Sequence, residues 1–125
     1  MAEKNIYYQL AQYMRYQYPK IIYKFDTGAD MRLTIGQAVK QKRLNPTRGF
    51  PDLIIFARRG IHSGLFIEIK KEGKSPLKRD GTLKKDIHLH EQDKMHIRLR
   101  KEGYTGGFGV GFDECQQMID SYLKL

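Results

Sequence analysis

The sequence predicts an α/β domain with a mixed central sheet flanked by helices. Helix-spaced apolar stripes alternate with short apolar runs, in the order helix, strand, short helix, strand, strand, helix, strand, helix. Two of the runs, Leu53-Ile54-Ile55-Phe56 and Leu65-Phe66-Ile67, are separated by the polar stretch Ala57 to Gly64 with two glycines, which reads as two adjacent strands joined by a turn. A length of 125 residues with 40% hydrophobic content suits one domain, residues 1–125, with its own core.

The first helix runs from Glu3 to about Tyr18, where Pro19 ends it. Glu3, Ile6, Leu10, Tyr13, Met14 and Gln17 fall on one stripe, and Tyr8 and Tyr16 project from the outer side. Ile21 to Asp26 alternates enough for a strand, and Gly28 to Asp30 is a turn. Thr34-Ile35-Gly36-Gln37 has capping-box spacing and starts a short helix that ends near Leu44. Asn45-Pro46-Thr47-Arg48-Gly49 then breaks the chain ahead of the strand pair. Lys71 to Lys85, rich in Lys, Gly and Pro, reads as a mobile loop. A helix from about Leu89 to Glu102 carries Gln92, Met95, His96 and Leu99 on its inner stripe and stops at Gly103. Tyr104 to Val110 is the last strand. Asp113-Glu114-Cys115-Gln116 has the spacing of an acidic capping box and opens a helix with Met118, Ile119 and Leu123 inward.

Charge and composition narrow the function classes. A net charge of +9 and a pI near 9.7 require a strongly positive face, and nucleic acid is the default anionic partner. No apolar stretch approaches the roughly 20 residues that span a bilayer. Met1-Ala2-Glu3-Lys4 leads into a tyrosine-rich helix instead of an apolar signal region, so the expected location is intracellular and cytoplasmic. Cys115 is the only cysteine, which excludes an internal disulfide and a cysteine-based zinc cluster. His88-Leu89-His90-Glu91 suggests zinc, but Lys94 stands where the H-E-x-x-H spacing needs histidine. Gly107-Phe108-Gly109-Val110-Gly111 lacks the full spacing of a dinucleotide loop, and close backbone packing explains it better.

The chemistry-bearing residues are Asp52, Glu68 and Lys70. Asp52 opens one strand of the pair, and Glu68-Ile69-Lys70 closes the other. Side chains alternate along a strand, so Glu68 and Lys70 share one face while Ile67 and Ile69 point to the core. Two carboxylates and one ammonium can therefore meet at one sheet edge, where they can hold a hard divalent cation and activate a water. Glu-x-Lys at a strand end is usually a solvated ion-pairing face, and Asp after Pro is an ordinary turn. The joint pattern in a basic chain is more specific and points to a nuclease.

Gly49-Phe50-Pro51-Asp52 through Glu68-Ile69-Lys70 resembles the PD-(D/E)xK nuclease core. More narrowly, the chain resembles the small stand-alone form of the VRR-NUC (virus-type replication-repair nuclease) family. The resemblance rests on Glu3, Gly49-Phe50-Pro51-Asp52-Leu53, Glu68-Ile69-Lys70, Gln92 and Gly103-Tyr104 and spans nearly the whole chain. Phe50 departs from the family's small or aliphatic residue, and the glycine-heavy last strand leaves its pairing open. The resemblance implies a restriction-endonuclease-like core and a Mg²⁺-dependent DNA endonuclease, with Mn²⁺ able to substitute. Asp52, Glu68 and the Ile69 backbone carbonyl would be metal ligands, with Glu3 completing the site or binding a second ion. The bland reading of Glu3 is an exposed carboxylate favoured by the helix dipole. Lys70 would orient the attacking water, and Gln92 would steady the lysine, a water or a phosphate. The implied substrate is branched DNA, a four-way (Holliday) junction first, in DNA repair or recombination, and a phage-encoded protein acting in the host cytoplasm fits the virus type. Flap, single-stranded or linear DNA is the alternative substrate, and a non-catalytic DNA-binding module the alternative class.

Lys71, Lys74, Lys78 and Arg79 lie just beyond the Glu-x-Lys strand and read as phosphate contacts, with Arg48 and its neighbours Lys40, Lys42 and Arg43 as a second patch. Their bland reading is a solvated face. One domain carries one site, whereas a four-way junction has two strands to cut about a near two-fold axis. A homodimer is therefore expected, with the tyrosine-rich first helix a candidate surface.

Overall fold

Strand alternation sorts the apolar residues into two layers. In the computed structural model, which describes residues 3–26 and 32–125 and the side chains from residue 5 onward, Leu53, Ile55, Leu65, Ile67 and Ile69 all enter one core. They belong to β2 (Leu53–Ile55) and β3 (Gly64–Lys70), which pair antiparallel with Leu53 opposite Ile67 and Ile55 opposite Leu65. β1 (Tyr23–Phe25) adds antiparallel to β2, and β4 (Tyr104–Val110) adds parallel to β3, so the sheet is mixed with the order β1-β2-β3-β4. The parallel step needs a crossover, and α3 (Ile87–Lys101) supplies it.

Two helices cover the core face. α1 (Glu3–Gln17) contributes Ile6, Tyr7, Leu10 and Met14, and α4 (Gly111–Leu123) contributes Cys115, Ile119, Tyr122 and Leu123. Asp120 joins the two helices by accepting hydrogen bonds from the Tyr13 and Tyr18 hydroxyls, each at 2.6 Å. The Tyr122 hydroxyl ties α4 to the β2–β3 hairpin by donating to the Ala57 carbonyl at 2.5 Å. Burial also raises the Cys115 thiol to about 12, which keeps it an inert core residue.

α3 covers the opposite face, where His96 sits between Phe66 and Phe108 at ring separations of 4.9 and 4.8 Å. α2 (Ile35–Leu44) has the expected capping box: Gln37 N–H donates to Thr34 Oγ1 at 3.1 Å, and Thr34 N–H donates to Gln37 Oε1 at 3.0 Å. None of its residues is buried.

The element order matches the sequence expectation, and several details differ. Tyr7 is buried, stacked on Phe25 at 5.4 Å, and Gln17 is exposed although Met14 in the same turn is in the core. The first strand is shorter than Ile21 to Asp26, although Phe56 N–H to the Ile22 carbonyl and Asp26 N–H to the Asp52 carbonyl prolong its bonding at both ends. The capping box expected at Asp113 does not form. α4 starts at Gly111 directly out of β4, and Glu114 Oε1 instead accepts the Val110 N–H at 3.2 Å. Lys71 to Lys85 carries a small hairpin of its own, with a Leu77–Leu83 bridge and a 2.7 Å bond from Lys78 N–H to the Thr82 carbonyl. The turn expected at Gly28 to Asp30 and the Glu3 side chain lie outside the described residues.

The glycine-heavy strand is explained by its pairing. Gly106 lies opposite Phe66 with φ of +143°, and a Cβ there would stand 1.8 Å from the Phe66 carbonyl oxygen.

Candidate active site

The approach to Asp52 is set by a close backbone contact. Gly49 has φ of +79°, and a Cβ on it would lie 2.5 Å from the Glu91 carbonyl oxygen and 3.0 Å from the Gln92 Cα. Only glycine allows the chain to lie this tightly on α3. Pro51 then enters the core and Asp52 emerges half-buried at the end of β2.

Register brings the carboxylates together. One residue beyond the Leu53–Ile67 pair, Asp52 stands opposite Glu68. Directly opposed residues of an antiparallel pair share a face, with Cβ atoms about 4.5–5.5 Å apart. Asp52 Oδ2 accepts the Ile69 N–H at 2.7 Å, and its main-chain carbonyl accepts the Asp26 N–H at 2.8 Å. The carboxylate is thus held on β3, and its other oxygen, Oδ1, is available to a ligand. Glu68 is only 4% exposed.

The Ile69 carbonyl is also placed for a role. In an extended strand the N–H and C=O of one residue project from the same edge, so this carbonyl faces the β2 side together with the N–H held by Asp52. The residue opposite is Pro51, which has no N–H to offer it. Two carboxylates and one main-chain oxygen make a hard, oxygen-only donor set, which suits Mg²⁺ better than a soft metal. Among the described residues no three His, Cys, Asp or Glu side chains converge as a metal cluster, so a main-chain oxygen or water would have to complete the set. Glu3 opens α1, but its side chain is not among those described.

Lys70 continues the Glu68 face. Its Nζ donates to Gln92 Oε1 at 3.1 Å and lies 5.8 Å from the centre of the Phe108 ring. The amide and the ring fix the ammonium from two sides. Gly49 packs on the same turn of α3 that carries Gln92, so one helix aligns both Asp52 and Lys70. Lys71, Lys74, Lys78, Arg79 and Arg48 sit at the surface, outside the core. Sequence reasoning missed the Phe108 ring beside Lys70 and the Gly49 contact with α3, and neither has a local signal.

His96 lies behind this face, fully buried, and neither ring nitrogen has a hydrogen-bond partner among the described residues. Burial first, and the Arg100 charge second, hold its pKa down to about 4. The unfolded chain therefore binds a proton below about pH 6.5 that the folded chain refuses until about pH 4. Stability should be complete above about pH 6.5 and fall between these values, by up to roughly 3 kcal/mol. Denaturant titrations of wild type and His96→Leu across this range check it. Parallel stability curves would mean that His96 is protonated in the folded state.

A solved structure named "VRR_NUC domain protein" superposes with a TM-score of 0.69 and 29% identity, over 100% of this chain and 90% of its own. This likeness supports assigning the chain to the VRR-NUC family. No family model matches the sequence, and no curated protein matches it. The VRR-NUC assignment agrees with the architecture: a mixed four-stranded sheet between helices, with the candidate residues at the end of the central antiparallel pair.

Proposed function

We propose that this VRR-NUC chain is a metal-dependent, structure-specific DNA endonuclease. The observation that carries the reading is the convergence of Asp52, Glu68 and Lys70 on one sheet edge, with Asp52 pinned to the Ile69 N–H and Lys70 to Gln92. Asp52, Glu68 and the Ile69 carbonyl would hold Mg²⁺, with Mn²⁺ able to substitute. A bound ion of this kind supplies neutralisation of the phosphate oxygens and stabilises charge on the displaced oxygen. Lys70 orients the attacking water and favours its hydroxide form, and Gln92 limits the ammonium to that position. Lys71, Lys74, Lys78, Arg79 and Arg48 track the DNA backbone on either side of the site.

The substrate we favour is the four-way junction. One subunit offers one site and cuts one strand, whereas resolution needs two cuts before the complex separates. A two-fold homodimer supplies them, matching the symmetry of the junction. The exposed Tyr8 and Tyr16 on α1 offer one dimer surface. Cleavage assays with Mg²⁺, Mn²⁺, Ca²⁺ or chelator on linear, splayed, flap and four-way DNA test the reading. We expect cleavage only with Mg²⁺ or Mn²⁺, fastest on the junction, because Ca²⁺ is larger and less strict in geometry. Light scattering should give twice the chain mass, and a supercoiled cruciform should be linearised in one binding event. A monomer that leaves singly nicked cruciform would shift the reading to flap or end processing. Metal-independent DNA binding without cleavage of any substrate would shift it to a binding module.

A further inference from the structure

Helix α2 is built unlike the other three. It has 10 residues and buries none of them. Isolated helices shorter than about 12–15 residues are marginal in water, since most helical stability comes from packing an apolar face. The capping box at Thr34 contributes on the order of 1 kcal/mol and cannot replace that packing. Yet α2 carries apolar residues and leaves them in solvent: Ile35 is 86% exposed, Val39 52% and Leu44 66%. A helix with this composition and no buried face among the described residues is made for an external partner.

Its charge identifies the partner. From Arg32 to Arg48 the chain has five cations, Arg32, Lys40, Lys42, Arg43 and Arg48, and no carboxylate. A second copy of this chain is the poorer occupant, because a two-fold contact through α2 would set the basic patch against itself. The position also fits. The short tether from Leu44 to Gly49 reaches at most about 18 Å, and Gly49 is pinned to α3 beside Gln92, the partner of Lys70.

We propose that α2 is a separate DNA-binding element, which lays Lys40, Lys42 and Arg43 on the phosphates beside the scissile bond and Ile35 and Val39 against the sugars and base edges. The docking supplies the partner that α2 lacks in the free chain, so DNA binding stabilises the helix. The inference rests on DNA being the ligand of the proposed nuclease, but its test does not depend on cleavage.

The experiment uses the full chain in chelator, with a four-way junction and a linear duplex as probes. Affinity is measured against salt for wild type and for Lys40→Gln/Lys42→Gln/Arg43→Gln. Hydrogen exchange of the amides of residues 38–44 is followed with and without DNA. Removing one cation from a phosphate should flatten the log–log salt slope by about 0.9 and weaken affinity about eightfold at 0.1 M salt relative to 1 M. We expect a reduction of at least about tenfold in the triple variant, and protection of the α2 amides only with DNA. Unchanged affinity and slope would overturn the proposal. So would α2 amides that are protected without DNA and become exposed, with halved mass, in Ile35→Ser/Val39→Ser, since α2 would then bind a second copy. A triple variant that cleaves and binds like wild type sinks the α2 assignment and leaves the nuclease reading intact. Wild-type protein that binds through α2 yet cleaves nothing with Mg²⁺ does the reverse.

Discussion

Asp52→Ala, Glu68→Ala and Lys70→Ala should each lower DNA cleavage by roughly a thousandfold or more while leaving most DNA binding in place. The two carboxylates face each other across the end of the β2–β3 ladder, and the lysine follows on the same face. Each group would act on the same few atoms, so no second group can compensate. Removing a single preorganised electrostatic interaction already costs about 10²–10³-fold in other active sites, and a metal ligand should cost more. The effects should not add. A double variant should be scarcely worse than either single one, because residues that act as a unit fail as a unit. Binding should survive, since on the proposed reading affinity for DNA would reside mainly in cations outside the site. Gln92→Ala should be milder and should lower the rate without changing the metal requirement, because it holds Lys70 and no metal. Single-turnover cleavage with Mg²⁺, beside junction binding in chelator, measures both quantities. Wild-type rates in any of the three alanine variants would remove that residue from the active site.

Gly106→Ala should cost the fold more than any surface change, on the order of 4 kcal/mol or more. Gly106 combines φ of +143° with a main chain that touches β3, so an alanine Cβ would fall 1.8 Å from the Phe66 carbonyl oxygen. Relief requires β4 to move away from β3, which breaks the parallel ladder that backs Glu68 and Lys70. The expected result is unfolding at low denaturant, or an insoluble protein. Gly60→Ala is the comparison: it also has positive φ, at +57°, but a Cβ there meets nothing within 4 Å. Its cost should be confined to backbone strain of about 1–2 kcal/mol. Equal midpoints for the two variants in urea unfolding would show that the β3–β4 pairing is looser than its geometry indicates.

Much of this protein is legible in its sequence because the signals are local. The α1 stripe of Ile6, Leu10 and Met14 follows from helical period, and the Thr34 capping box from four consecutive residues. The β2–β3 hairpin follows from two apolar runs and the turn between them. Period two along β3 places Glu68 and Lys70 together, and that placement needs no knowledge of the rest of the chain. The departures occur where a second element intervenes. Asp113 has the local spacing of a cap, but β4 delivers the chain straight into α4 two residues earlier.

The sequence by itself determined the element order, the two faces of the central hairpin and the residue types at its edge. Tertiary structure decided how those residues are held. The Ile69 N–H reaches Asp52 because strand register sets Asp52 one residue beyond the Leu53–Ile67 pair, Gln92 reaches Lys70 because α3 packs over the face that carries Lys70, and Phe108 stands beside Lys70 because β4 pairs parallel to β3. Each of these interactions joins residues at least 17 positions apart in the chain. Periodicity and capping act over a few residues, whereas such interactions depend on strand register and helix packing, which exist only once the chain has closed on itself.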